Sequence, residues 1–222
     1  MKVIVFGATG MVGHGVLREC LLAADVDEVL VVTRAPTGVR HPKLREVTHD
    51  DFTDFTAVDF SGYDACFFCL GVSSVGMDEA AYRRVTYDFT MAAARRMAEQ
   101  SPGMVFVYVS GAGTDTNGRQ MWARVKGRTE DDVAALDLRA YAFRPGFIRP
   151  EHGARSKVRL FRIIYAALTP LSALLVRFAP GFATSTSQLG RAMLIVARTR
   201  PERRVWASRD IAAAREPGTR DL

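Results

Sequence analysis

The sequence predicts a doubly wound α/β fold, a parallel sheet with helices on both faces and a small C-terminal helical lobe. Three observations carry this. Six short apolar runs alternate with stretches of helical spacing over the first 143 residues, the pattern of right-handed βαβ crossovers. The first run breaks at once into a glycine-rich turn and then an amphipathic stretch. Gly7, Arg34, Asp50, Gly71 and Ser110 each fall just past the end of a run, the edge of such a sheet where ligands bind.

The first element is Lys2-Val3-Ile4-Val5-Phe6, apolar and rich in β-branched residues. Gly7-Ala8-Thr9-Gly10-Met11-Val12-Gly13 follows, and then Val16, Leu17, Leu21 and Leu22 at helical spacing. Strand, glycine turn and helix form the setting in which a glycine fingerprint means dinucleotide binding. One glycine lets the chain turn, one admits a pyrophosphate to backbone N–H groups, and one lets helix and strand pack closely. The spacing is GxxGxxG rather than GxGxxG. Gly7, Thr9, Gly10, Met11, Val12 and Gly13 are the candidate phosphate-binding residues, at a helix N-terminus that favours negative charge.

Glu28-Val29-Leu30-Val31-Val32-Thr33 reads as a second buried strand, ending at Arg34. NAD-preferring sites usually place a carboxylate here, roughly 20 residues past the glycine turn, to hold the ribose 2′-hydroxyl. Thr33 and Arg34 stand there instead, and a guanidinium pairs with a 2′-phosphate that a carboxylate would repel. NADP(H) is therefore expected in preference to NAD(H). Leu44–Thr48 reads as a third strand, after which Asp50 either accepts from the adenine amino group or caps the next turn. A fourth run, Asp64 to Gly71, is apolar throughout, as a central parallel strand should be, and brings Leu70 and Gly71 near the cofactor. Its Cys66-Phe67-Phe68-Cys69 spacing fits buried packing rather than redox chemistry, because residues three apart on a strand face opposite ways.

Residues 79–99 carry a long helical pattern, and Met104–Val109 a fifth strand leading into Ser110-Gly111-Ala112-Gly113. A charged helix begins at Met121-Trp122, and Tyr141-Ala142-Phe143 is a sixth strand closed by Arg144-Pro145-Gly146. Residues 157–178 are the most apolar part of the second half, interrupted at Thr169-Pro170. They read as two short helices forming a lid, with a basic membrane-surface element as the alternative. The chain is expected to be a single domain, 1–222, with residues 147–190 as its substrate-side helical lobe.

Composition bounds the function. Net charge is +6 over 222 residues; residues 1–111 hold 10 Lys/Arg against 14 Asp/Glu, and residues 112–222 hold 20 against 10. Arg144, Arg149, Arg155, Lys157, Arg159 and Arg162 cluster in the second half. A solvated arginine-rich surface explains them, and without a recognised module or stacking aromatics nucleic acid is not an expected partner. The strand at residue 2 leaves no room for a leader, and three cysteines suit a reducing compartment, so a cytoplasmic protein is expected. His14, His41, His49 and His152 show no ligand spacing, and no metal is expected.

The Gly7–Gly13 turn, Thr33-Arg34, Ser110-Gly111-Ala112-Gly113, Lys126-Gly127 with Glu130, Arg144-Pro145-Gly146 and Thr184-Ser185 together resemble the short-chain dehydrogenase/reductase superfamily. The likeness is to its atypical NAD(P)-binding Rossmann branch of epimerase-like and Tat-interacting-protein-like members. It implies a serine after the fifth strand and a Tyr-x-x-x-Lys pair as the catalytic groups, here Ser110 and Lys126. Trp122 occupies the tyrosine position, and an indole N–H cannot transfer a proton near neutral pH. The resemblance implies an NADP(H)-dependent oxidoreductase acting on a small-molecule substrate as a monomer or homodimer. The alternative is a non-catalytic NADP(H)-binding regulatory or partner-binding protein.

Overall fold

The computed structural model describes residues 1–153 and 183–215. Seven parallel strands form the main sheet, in the order β3-β2-β1-β4-β5-β6-β9. They are β1 (Lys2–Phe6), β2 (Glu28–Thr33), β3 (Leu44–Thr48), β4 (Ala65–Phe68), β5 (Val105–Val109), β6 (Arg139–Arg144) and β9 (Val205–Ala207). A second, two-stranded parallel sheet pairs β7 (Phe147–Arg149) with β8 (Ala183–Ser185).

Strand alternation sorts the core into two layers. Val3, Val5, Val29, Val31, Phe67, Val107 and Phe143 face α1 (Met11–Leu22), α5 (Thr186–Thr199) and α6 (Ser208–Ala213). Ile4, Phe6, Leu30, Val32, Cys66, Phe68, Phe106 and Tyr108 face α3 (Phe89–Gln100), α4 (Met121–Ala134) and the aromatic loop holding Phe52, Phe55 and Phe60. Helices on both faces of an all-parallel sheet make the fold doubly wound. The cysteines obey the same alternation: Cys66 is buried in the second layer, and Cys69 packs against the first. Burial holds the thiols of both well above the ordinary range.

The expected helix over 79–99 is α2 (Glu79–Arg83) and α3 joined by a π-helical turn, Arg84–Asp88. No glycine or proline marks it, so spacing alone reads as one helix. Strand β9 also lay outside the sequence reading, being three residues long behind Pro201 and two arginines. It is held by Trp206, which stacks on Phe143 at 5.7 Å and donates to the Arg203 carbonyl at 3.0 Å.

Helices α1 and α5 cross at close range through two glycines. A Cβ on Gly15 would lie 2.5 Å from the Thr186 Cβ, and one on Gly190 would lie 2.8 Å from the Glu19 side chain. The lid expected over 157–178 lies outside the described residues, as do Arg155, Lys157, Arg159 and Arg162 of the basic cluster. No described helix is long and apolar enough to cross a membrane.

Candidate active site at the carboxyl ends of the strands

The turn after β1 is built from three glycines with different tasks. Gly7 sits at φ +75° against the exit of β4, where a Cβ would lie 2.7 Å from the backbone of Cys69 and Leu70. A Cβ on Gly13 would fall 2.2 Å from the Gly7 carbonyl oxygen. Gly10 is less confined: among the described residues its missing Cβ meets only that same oxygen, at 3.2 Å. Gly10 donates to the Gly7 carbonyl at 2.8 Å and then caps α1 with no side-chain hydrogen bond. His14 makes the first helical bond, to the Gly10 carbonyl at 2.9 Å. The N–H groups of Met11, Val12 and Gly13 thus have no acceptor among the described residues, as a helix start leaves them.

The neighbouring strand ends complete this side. Thr33 is buried, and its hydroxyl donates to the Ala35 carbonyl at 2.7 Å, shaping the turn that presents Arg34. Arg34 is exposed and ion-paired with no described residue. The His49 N–H donates to the Thr33 carbonyl at 2.9 Å, bringing the end of β3 alongside. Asp50 is exposed there. Of its two expected roles, capping falls to Asp51 instead, which accepts from the Thr53 N–H at 2.9 Å and hydroxyl at 2.6 Å. Those bonds hold the Asp51 carboxyl below its ordinary range. Leu70 and Gly71 lie at the β4 exit, directly against Gly7 in the case of Leu70.

On the other side stand β5 and α4. The Thr114 hydroxyl donates to the Gly111 carbonyl at 2.8 Å, so in its 2.8 Å contact with Ser110 the serine hydroxyl is the donor. Lys126 Nζ donates to the carbonyls of Val109, at 3.3 Å, and Ser110, at 3.0 Å. It also stands 5.5 Å from the centre of the Tyr108 ring. Burial pulls its ammonium down to about 8, against an upward pull from the Glu130 carboxylate. Trp122, one turn earlier, lies with its indole against the Gly111–Gly113 turn, 3.5 Å from where a Gly113 Cβ would stand. Indole and ammonium therefore share one face of α4.

Glu130 is claimed by Arg144 across the α4–β6 gap, through contacts of 3.1, 3.1 and 2.6 Å. The expected basic cluster is corrected on this point. Arg144 is ion-paired with Glu130, and Arg149 with Glu151 at 3.3 Å, so neither is a free surface cation. Thr114, Tyr108 and the Glu130–Arg144 pair escaped the sequence reading as site residues. For Tyr108 a signal existed, since strand alternation puts it on the same side as Ser110. Two clefts, of about 510 Å³ among α1, α5 and α6 and about 370 Å³ beside α3, include none of these residues. No described cluster of His, Cys, Asp and Glu is arranged to hold a metal.

No family model matches the chain. A curated relative, the mitochondrial protein FMP52-2 of Scheffersomyces stipitis, is 29% identical over 161 residues, 70% of this chain and 68% of its own. That relative and others like it are named as mitochondrial, which overturns the cytoplasmic placement. Among solved structures, the Bordetella bronchiseptica enzyme WbmF in complex with NAD+ and UDP superposes with a TM-score of 0.68 at 19% identity. The match covers 93% of this chain and 71% of that one. A short-chain type dehydrogenase/reductase from Mycobacterium ulcerans gives 0.64 at 18% identity, over 97% and 91% of the two chains. Sheet order, glycine turn and superposition agree on the fold: this chain has a Rossmann fold like that of these two solved structures.

Proposed function

We propose that this chain binds NADP(H) and works as an oxidoreductase on a small-molecule substrate. The observation that carries the reading is one arrangement at the sheet edge. Three N–H groups, of Met11, Val12 and Gly13, have no acceptor among the described residues and follow a turn whose glycines at 7, 10 and 13 bring no side chain of their own. An arginine with no ion pair among the described residues, not a carboxylate, closes the next strand. The complex of WbmF with NAD+ supports a nicotinamide dinucleotide in this fold, and Arg34 favours the phosphorylated form.

In this reading Gly7, Thr9, Gly10, Met11, Val12 and Gly13 hold the pyrophosphate, and Thr33 and Arg34 the adenosine ribose and its 2′-phosphate. Asp50 reaches the adenine amino group, and Leu70 and Gly71 offer backbone to the nicotinamide half. Lys126 lies by the nicotinamide ribose and Ser110 by the substrate oxygen. Bound dinucleotide supplies hydride chemistry; the protein orients the reactants and excludes water. Residues 147–190 would form the substrate-side lobe of a single domain. Trp122 favours a second reading, an NADP(H)-binding regulator without catalysis, because it replaces the group that usually moves the proton. Stopped-flow reduction of a panel of carbonyls and quinones by NADPH separates the two. Turnover of any member supports the oxidoreductase, and bound NADPH with no turnover supports the regulator.

A further inference from the structure

Trp122 stands on α4 where the resemblance expects a tyrosine, yet the site contains a group able to move a proton. We propose that Lys126 is the proton donor of this site, its ammonium delivering to the substrate oxygen the proton a tyrosine would otherwise provide. This rests on the oxidoreductase reading above and assigns the step that reading leaves open.

The geometry argues by counting donors. An ammonium has three N–H bonds. Two of them point to the carbonyls of Val109 and Ser110, at 3.3 and 3.0 Å. The third has no acceptor among the described residues. If it is lost, the neutral amine still has two N–H groups for the same two carbonyls, so side chain and strand end need not rearrange. Such a group can cycle between its forms in place.

Among the described residues around it, none is a better proton donor. On α4, Trp122 has no transferable proton near neutral pH, and Glu130 is held by Arg144 of β6 rather than by the lysine. On β5, Tyr108 presents its ring face, and burial holds its phenol far above the working range. Burial likewise raises Tyr82 of α2. The Ser110 hydroxyl is committed to Thr114. With no described carboxylate bound to it and most of its surface covered, the Lys126 ammonium is pulled down to about 8. A proton held there is released far more readily than from an ordinary lysine, at about 10.4.

The step balances. The substrate carbonyl carbon accepts hydride from the reduced dinucleotide, forming a C–H bond as the C=O π pair moves to oxygen. That oxygen forms an O–H bond as the free N–H of Lys126 breaks, leaving a neutral amine that water reprotonates. The substrate gains two electrons and the dinucleotide loses two.

Two measurements on the intact protein test this. The first is competitive acetic anhydride labelling across pH without dinucleotide, reading acetylation of Lys126 by mass spectrometry. The second is the pH profile of kcat/KM for NADPH reduction of phenanthrenequinone by wild type, Lys126→Arg and Lys126→Met. We expect a labelling midpoint near 8, and a rate falling about tenfold per pH unit above the same midpoint. Lys126→Arg keeps a charge and donors but does not titrate in this range, so it should bind NADPH, lose the falling limb and slow by roughly 10²–10⁴-fold. A labelling midpoint near 10.4, or a falling limb that survives in Lys126→Arg, overturns the proposal. Failure to bind NADPH at all sinks the oxidoreductase reading and this role with it. Binding with a lysine-independent pH profile sinks this role alone.

Discussion

Gly13 approaches Gly7 so closely that a Cβ on it would fall 2.2 Å from the Gly7 carbonyl oxygen, whereas one on Gly10 would keep 3.2 Å. The outer glycine joins helix to strand, and the middle one is less tightly confined, as the proposed dinucleotide site requires. Gly13→Ala should therefore destabilise the fold by about 2–3 kcal/mol through overpacking of backbone against backbone. Gly10→Ala should stay within about 1 kcal/mol of wild type yet lose roughly tenfold in NADPH affinity. Urea unfolding paired with a binding titration separates the two, and equal loss of stability in both variants would contradict the division.

The Glu130–Arg144 pair gives a second prediction. The Glu130 side chain is only 8% exposed, so removing its partner leaves a buried charge uncompensated. Arg144→Met should cost about 3 kcal/mol, read as a lower urea midpoint at unchanged slope. Arg198→Met, which breaks the more exposed contact to Asp25, should cost no more than about 1 kcal/mol. Similar losses in the two variants would mean that burial does not set the worth of these pairs.

Lys126 makes stability depend on pH in a definite direction. Its folded value, about 8, lies below the unfolded value of about 10.4. Between those values the unfolded chain binds more protons, so this residue's contribution to stability rises with pH across that window and is flat below it. Tyrosines and cysteines raised by burial work the other way. The measurement is therefore the difference between wild type and Lys126→Met, from urea unfolding at pH 7, 9 and 10. Wild type should gain on the variant as pH rises; a constant difference would mean an ordinary lysine.

How much of this was legible in the sequence follows from the range of the interactions involved. Strands β1, β2, β4, β5 and β6 are visible because each carries its own apolar run, β3 more weakly through Leu44 and Val47, and parallel pairing places their exits on one edge. That is why Gly7, Arg34, Asp50, Gly71 and Ser110 could be set at a common edge without coordinates. Strand β9 could not be read, since Val205–Ala207 is a strand only by virtue of pairing with Ala142–Arg144. The π-helical turn is invisible to spacing. The ion pairing of Arg144 is invisible for a related reason: composition counts a charge but cannot see Glu130, one strand connection away in sequence and bonded to it in space. Asp50 and Asp51 differ by one residue, and only the local turn decides which of them is the cap.

Trp122 supplies the next prediction. Its indole packs on the Gly111–Gly113 turn with Lys126 one helical turn beyond. Trp122→Tyr puts a phenol on that face, where a nearby ammonium lowers its pKa from about 10. Phenanthrenequinone reduction by NADPH should rise by about tenfold or more, and its falling limb should move above pH 8 as the phenol takes over proton delivery. Unchanged rate and profile would place the face of α4 away from the reacting carbonyl.

The central claim, an NADP(H) site over the glycine turn with Arg34 as its specificity element, is tested most directly by calorimetric titration of the intact protein with NADPH and NADH. The expected result is NADPH tighter by roughly ten- to hundred-fold, about 1–3 kcal/mol, with Arg34→Ala bringing the two cofactors together. Equal affinity of the wild type for both, or no binding of either, would contradict it.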